Sequence, residues 1–253
     1  MNVRHIATLM RFTLRELMLK KTFQVLYFLF LLFCCSIPLW KHFAPETELE
    51  FIADFGVGLI GFFLMVVTVI IASDIIPADL RSRRLLFFVM HPMGKADYLL
   101  GRAFGMFVFL GLSFIFFMAL LKAFFVYHTW SVAFWPAVPL VMKFLILAAF
   151  LFCISAAVER FSAIFLGFSF YFLCSSLSTL NFLSAESENR SMVLFMRGVS
   201  FLFPHFELFD TGSAIGRWDL HAVLHLAQLG LYGLLFIAVY LWGAYLILKK
   251  KTV

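Results

Sequence analysis

The chain has 253 residues, of which 64% are hydrophobic and 13% charged, with 36 phenylalanines and a formal net charge of +6. A water-soluble domain carries about 45–50% apolar and about 25% charged residues, so these proportions exclude water as the solvent for most of the surface. In lipid, backbone polar groups must be satisfied internally, which leaves helices or a closed barrel. Long unbroken apolar runs, rather than alternating segments of about ten residues, select helices. The expected fold class is therefore an all-α integral membrane protein.

In chain order, residues 1–22 come first. Arg4, Thr8, Arg11 and Arg15 recur at helical spacing opposite Val3, Ile6, Met10, Leu14 and Leu17. That pattern predicts an amphipathic helix lying in the membrane interface. The basic region is too long for a cleavable signal, and no small-residue cleavage site follows it. Six apolar runs of about the 20 residues needed to span a bilayer follow, at roughly Phe23–Trp40, Gly56–Ile76, Phe104–Tyr127, Ala137–Val158, Ser162–Leu183 and His221–Leu248. Only a few residues around Glu159 and Arg160 join the fourth and fifth, which predicts a tight antiparallel helical hairpin.

Basic residues set the expected orientation. Most of the 20 Lys and Arg fall before the first run, in the 77–103 loop, at Arg160, or at Lys249, Lys250 and Lys251. The positive-inside rule then puts both termini in the cytoplasm. Glu46, Glu48, Glu50 and Asp54 crowd the first outer loop, while Trp40, Trp130, Trp135 and Trp218 fall at outer helix ends, where amphipathic rings favour the headgroup layer. Because the basic residues sit beside apolar segments, membrane topology accounts for the positive charge and no nucleic-acid partner is expected. Cys34, Cys35, Cys153 and Cys174 all lie inside apolar runs without metal spacing, and read as small hydrophobes.

Residues 184–220 form a loop too long to be mere reversal. Met192 to Phe203 reads as a short helix, followed by Pro204 and an aromatic patch at Phe206, Leu208 and Phe209. Two short extracytoplasmic helices against the outer leaflet are expected here.

The cytoplasmic loop, residues 77–103, carries the densest pattern. A charged start at Asp79, Arg81, Arg83 and Arg84 leads into an apolar stretch from Leu85 and Leu86 to Met90. His91 and Pro92 break any helix there, and the chain restarts with Lys95, Asp97 and Tyr98. An amphipathic element beside the membrane is a surface that a cytosolic protein could grip.

This loop resembles that of the permeases of type 2 ATP-binding cassette exporters. The shared features are Asp79 with Arg81 to Arg84, Leu85 and Leu86, Pro92, Gly94-Lys95, Tyr98, Gly101-Arg102 and Gly105. The N-terminal interfacial helix, the six-run count and the long loop before the last run extend the resemblance to the architecture of nearly the whole chain. The sequence departs in lacking the Glu and Gly-Thr that many members carry before the Leu-rich stretch. What the resemblance implies is a coupling helix docking into a groove on a separate cytosolic ATPase. Asp79, Arg81, Arg83, Arg84, Leu85, Leu86, His91, Pro92, Lys95 and Tyr98 would form the contact. It further implies a second permease, identical or a sister, and a bacterial inner-membrane location. ATP and magnesium would be bound by the ATPase, and no cofactor by this chain.

The chain itself has no phosphate-binding loop, since Gly94-Lys95 is followed by Ala96 and lacks the upstream glycine. It is expected to be non-catalytic on its own. Gly56, Gly58 and Gly61 spell a dinucleotide-like Gly-x-Gly-x-x-Gly, but no strand precedes them, so close helix packing is their expected use; Gly101 and Gly105 read likewise. Lys122 and Lys143 lie within apolar runs. They either snorkel to the headgroups or line an outer pathway. Asp74 is expected to pair with a loop arginine. His221 and His225 share a helix face but lack a third ligand, so they are weak metal candidates. Ser175, Ser176 and Ser178 lack a base at their depth. A lipid-modifying membrane enzyme and a non-transporting scaffold remain the alternative readings.

Overall fold

A computed structural model describes residues 3–40, 48–82, 94–124, 130–186, 190–210 and 220–250. Its helices are α1 (Val3–Met18), α2 (Lys21–Trp40), α3 (Glu48–Arg81), α4 (Lys95–Phe124), α5 (Trp130–Ala157), α6 (Arg160–Ser175), α7 (Leu177–Glu186), α8 (Arg190–Leu202) and α9 (Leu220–Lys250), with a 3-10 turn at Phe206–Phe209. No strand occurs among the described residues, which agrees with the expected all-α class.

Among the described residues four helices are long and apolar enough to cross a membrane, over Phe55–Arg81, Lys95–Ala123, Val138–Ala157 and Leu226–Lys250. A fifth exists if α1 and α2, bent by 59° at their junction, form one span. The described residues thus show four or five of the six expected spans. The fifth predicted run, 162–183, is broken at Ser176, whose amide bonds the carbonyls of both Phe172 and Leu173. Serine side chains compete locally with the helical ladder, and Ser175, Ser176 and Ser178 cluster at the break. The 16 residues of α6 rise only about 24 Å, short of a hydrocarbon core of about 30 Å.

The 77–103 loop is shorter than expected because helices enter it from both sides. α3 runs through Pro77 to Arg81; a proline inside a helix forfeits one ladder bond without necessarily ending it. α4 starts at Lys95, with Asp97 in its first turn, where a carboxylate suits the positive end of the helix dipole.

α5 lies at the centre, packed against α3, α4, α6 and α9. Its 143–156 stretch is almost wholly buried, including Phe144, Ile146, Leu147, Leu151 and Phe152. α2 faces the bundle with Phe23, Phe30 and Cys34 and leaves Val25, Phe28 and Leu32 outside, the one-sided pattern of a helix with a single packed stripe. Phe30 meets Phe117 of α4 at 4.3 Å between ring centroids. The expected hairpin is present: Val158 and Glu159 alone separate α5 from α6, and Phe150 stacks on Phe170 across it. In the 184–220 region the short helix is α8, and Phe206 and Phe209 of the 3-10 turn are fully buried against α5 and α6.

Of the glycines expected at helix contacts, Gly101 and Gly105 hold the closest approach. A Cβ on Gly105 would sit 2.6 Å from Thr13 Cβ, and one on Gly101 would sit 2.9 Å from Leu9 Cβ. α1 therefore lies directly on the backbone of α4, with Leu9, Thr13 and Leu17 as its buried line. That line differs from the stripe expected at Val3, Ile6, Met10, Leu14 and Leu17, because the docking surface follows the α4 glycines rather than hydropathy alone. Gly56 is similarly tight against Leu121, whereas Gly58 meets open space and Gly61 makes only ordinary contact.

Candidate functional site

The candidate site is the polar cluster at the base of the 83–93 segment. Arg102 of α4 is among the largest fully buried side chains. Its Nη2 straddles both oxygens of Asp79, at 2.7 Å to Oδ1 and 2.6 Å to Oδ2. Its Nη1 donates to Glu16 at 2.7 Å and to Thr13 Oγ1 at 3.2 Å. The Tyr98 hydroxyl donates to Asp79 Oδ2 at 2.6 Å. Phe12 places its ring 5.4 Å from the guanidinium carbon.

Local sequence explains the geometry. Tyr98 and Arg102 are four apart on α4 and share a face, and Asp79 sits in the last turn of α3. Gly101 and Gly105 let α1 approach until Thr13 and Glu16 reach the guanidinium. A buried charge is tolerable only when paired and hydrogen-bonded, and this one has two carboxylates, a hydroxyl and a ring. The cluster thereby fastens α1, the end of α3 and the start of α4 together. Lys95 adds α9, donating to the Leu248 carbonyl at 3.2 Å, where a cation also suits the negative helix end.

Asp79 and Tyr98 were expected among the contacts for a partner protein. Both are buried, at 1% and 2% exposure, so they hold the base of the loop instead of presenting a surface. Arg81 is exposed. Arg83, Arg84, Leu85, Leu86, His91 and Pro92 lie outside the described residues, as do Lys41 and Trp218.

A second cluster lies nearby. Asp74, expected to meet a loop arginine, does pair with Arg81 at 3.4 Å. It also takes Lys20 from the α1–α2 junction at 3.0 Å and Arg160 from the start of α6 at 3.4 Å. Three cations from three elements thus converge on one carboxylate.

Elsewhere, Lys143 is buried and paired. Its Nζ lies 2.8 Å from Asp210 Oδ2, beneath the rings of Tyr171 and Phe206 at 5.1 and 5.7 Å. Lys122, in the last turn of α4, is exposed. His221 and His225 lie in the first turns of α9, and their side chains are outside the described residues. Among the described residues no three His, Cys, Asp or Glu side chains are grouped to hold a metal. Sequence reasoning also missed a hydrogen-bond chain in which Asn181 donates to Ser200, Ser200 meets His205 Nε2 at 2.8 Å, and the His205 amide donates to Tyr232. It ties α7, α8 and α9 beside the 3-10 turn.

No family model matches the chain, and no curated protein matches it.

Proposed function

We propose that the chain is the membrane-spanning permease subunit of an ATP-driven exporter of the ATP-binding cassette class, set in a bacterial inner membrane with both termini in the cytoplasm. Two copies, or this chain with a sister permease, enclose the pathway and pair with two cytosolic ATPases that bind ATP and magnesium. The chain contributes no catalytic group of its own.

The observation that supports this reading is the Asp79–Tyr98–Arg102–Glu16 cluster. An ATPase can move membrane helices only through a contact that does not give way. Both chain ends flanking the 83–93 segment, one leaving α3 and one entering α4, are locked to each other and to α1 by buried charge-assisted hydrogen bonds, roughly twice as strong as neutral ones. Displacement of the segment would therefore be passed to α1, α3 and α4 as a unit, and through Lys95 to α9. ATP binding in the partner biases the permease pair between two states by differential contact with this segment.

The test is co-purification in mild detergent of the tagged chain with its native neighbours, wild type beside Arg83→Glu/Arg84→Glu. Wild type is expected to bring down a nucleotide-binding ATPase, and the double variant to lose it while inserting normally. A well-folded wild-type protein that recovers no ATPase removes the transporter reading.

A further inference from the structure

The Asp74 cluster carries more positive charge than it can use. Lys20, Arg81 and Arg160 share one carboxylate, and no second acidic side chain pairs with any of them among the described residues. Glu159, the neighbour of Arg160, is exposed and makes no side-chain bond to the start of α6.

The unused donors are specific. Arg160 sets Nη1 3.4 Å from Asp74, with its side chain 36% exposed; its Nε is sealed from solvent, so Nη2 is the donor left for a ligand. A terminal guanidinium nitrogen makes short, charge-assisted bonds to phosphate oxygen. Arg81 spends Nε on the Pro77 carbonyl and Nη2 on Asp74, leaving Nη1. Lys20 uses one of its three donors. Arg160 opens α6, whose N-terminus has no side-chain cap and is a positive dipole end. The donors left over and the surplus of positive charge favour an occupant that accepts several hydrogen bonds and carries negative charge.

We propose that Lys20, Arg81 and Arg160 form a phosphate-binding site, with the phosphate of an anionic membrane lipid as its occupant. The chemistry is that of a phosphate mono- or diester: oxygens for Arg160 Nη2 and charge for Lys20 and Arg81, with Asp74 competing for the same donors. Lipid is the favoured source because the three residues stand at the ends of apolar helices, where a headgroup lies and the acyl chains can follow the exposed Phe161 and Phe165 of α6. The site is independent of the transporter reading.

The experiment is lipid titration of the purified full-length protein in detergent, followed by native mass spectrometry, with phosphatidylglycerol and phosphatidylcholine as probes. Phosphatidylglycerol should be retained at least tenfold more tightly than phosphatidylcholine. Arg160→Gln should weaken it about tenfold, a loss of about 1.4 kcal/mol, and Arg81→Gln should weaken it less. Arg11→Gln removes the same charge from an exposed position on α1 and should change retention less than twofold. Asp74→Asn removes the competing carboxylate and should tighten binding, which a merely structural role for the cluster does not predict. A parallel titration with millimolar inorganic phosphate separates the sources: if it binds wild type and spares no lipid preference, a soluble phosphate is the occupant. Equal losses in Arg160→Gln and Arg11→Gln, or no binding of either probe, overturn the site. Arg81 is exposed, so its variant tests the proposal even if Arg160→Gln fails to fold.

Discussion

Two cations are buried to almost the same degree, Arg102 at 2% side-chain exposure and Lys143 at 3%, yet their partners differ. Arg102 meets a carboxylate as buried as itself, Asp79 at 2%, and adds Glu16, Thr13 and the Phe12 ring. Lys143 meets Asp210, which is 48% exposed, beside the rings of Tyr171 and Phe206. The first arrangement cannot open without leaving charges stranded away from water. In the second, opening strands only Lys143, since Asp210 is already half exposed. One half of the molecule is therefore built as a fixed clamp and the other as a latch, and the exposure of the partner, not of the cation, marks the difference.

The largest effect is expected at the clamp. Arg102→Met leaves Asp79 buried with Tyr98 as its remaining partner. Removing one member of a buried ion pair costs about 3–5 kcal/mol, to be read as a lowered thermal unfolding midpoint in detergent. Arg102→Met/Asp79→Leu should recover much of that loss, because the penalty belongs to the stranded carboxylate. A double variant no more stable than the single one would mean that the cost lies in packing and not in charge.

Lys143→Met sharpens the contrast. It removes a charge-assisted pair, but Asp210 can be rehydrated, so the expected loss is about 1–2 kcal/mol, at the low end for hydrogen bonds to charged groups. The same unfolding measurement applies. A loss equal to that of Arg102→Met would break the argument from partner exposure.

The two sites also differ in how far the sequence announces them. Apolar runs of spanning length were legible at α3, α4, α5 and α9 because composition over about 20 residues suffices. The break at Ser176 was not, since three serines barely lower the hydropathy of the run they interrupt. Asp79, Tyr98, Gly101, Arg102 and Gly105 stand out as a pattern, but their neighbour Glu16 lies 86 residues from Arg102. Nothing in its own surroundings marks it as a partner. The α1 face was misread for the same reason: Thr13 is buried because Gly105 lies opposite, a fact about another helix. Asp210 lies 67 residues from Lys143, after a turn whose aromatic patch was visible but whose burial was not. Asp74 and Arg81 were readable as a local pair, while Lys20 and Arg160 joined them only through the folding of α2 and α6 against α3.

The smallest effect tests whether the clamp acts as a network or as one ion pair. Tyr98→Phe removes only the hydroxyl that donates to Asp79, keeping the ring and its packing against Leu80 and Leu9. A single buried hydrogen bond to a charged group is worth about 1.5–3 kcal/mol, but Asp79 keeps both contacts to Arg102, which places the expected loss near about 1 kcal/mol. In Arg102→Met the hydroxyl is the carboxylate's last donor, so removing it there should cost more than in wild type. Coupling of about 0.5–3 kcal/mol between two such neighbours is the usual range for shared networks, and the double-mutant cycle on thermal stability measures it. Additive losses would reduce the clamp to the Arg102–Asp79 pair with Tyr98 as a bystander. Positive coupling would mean that the base of the loop holds as a network and not as one ion pair.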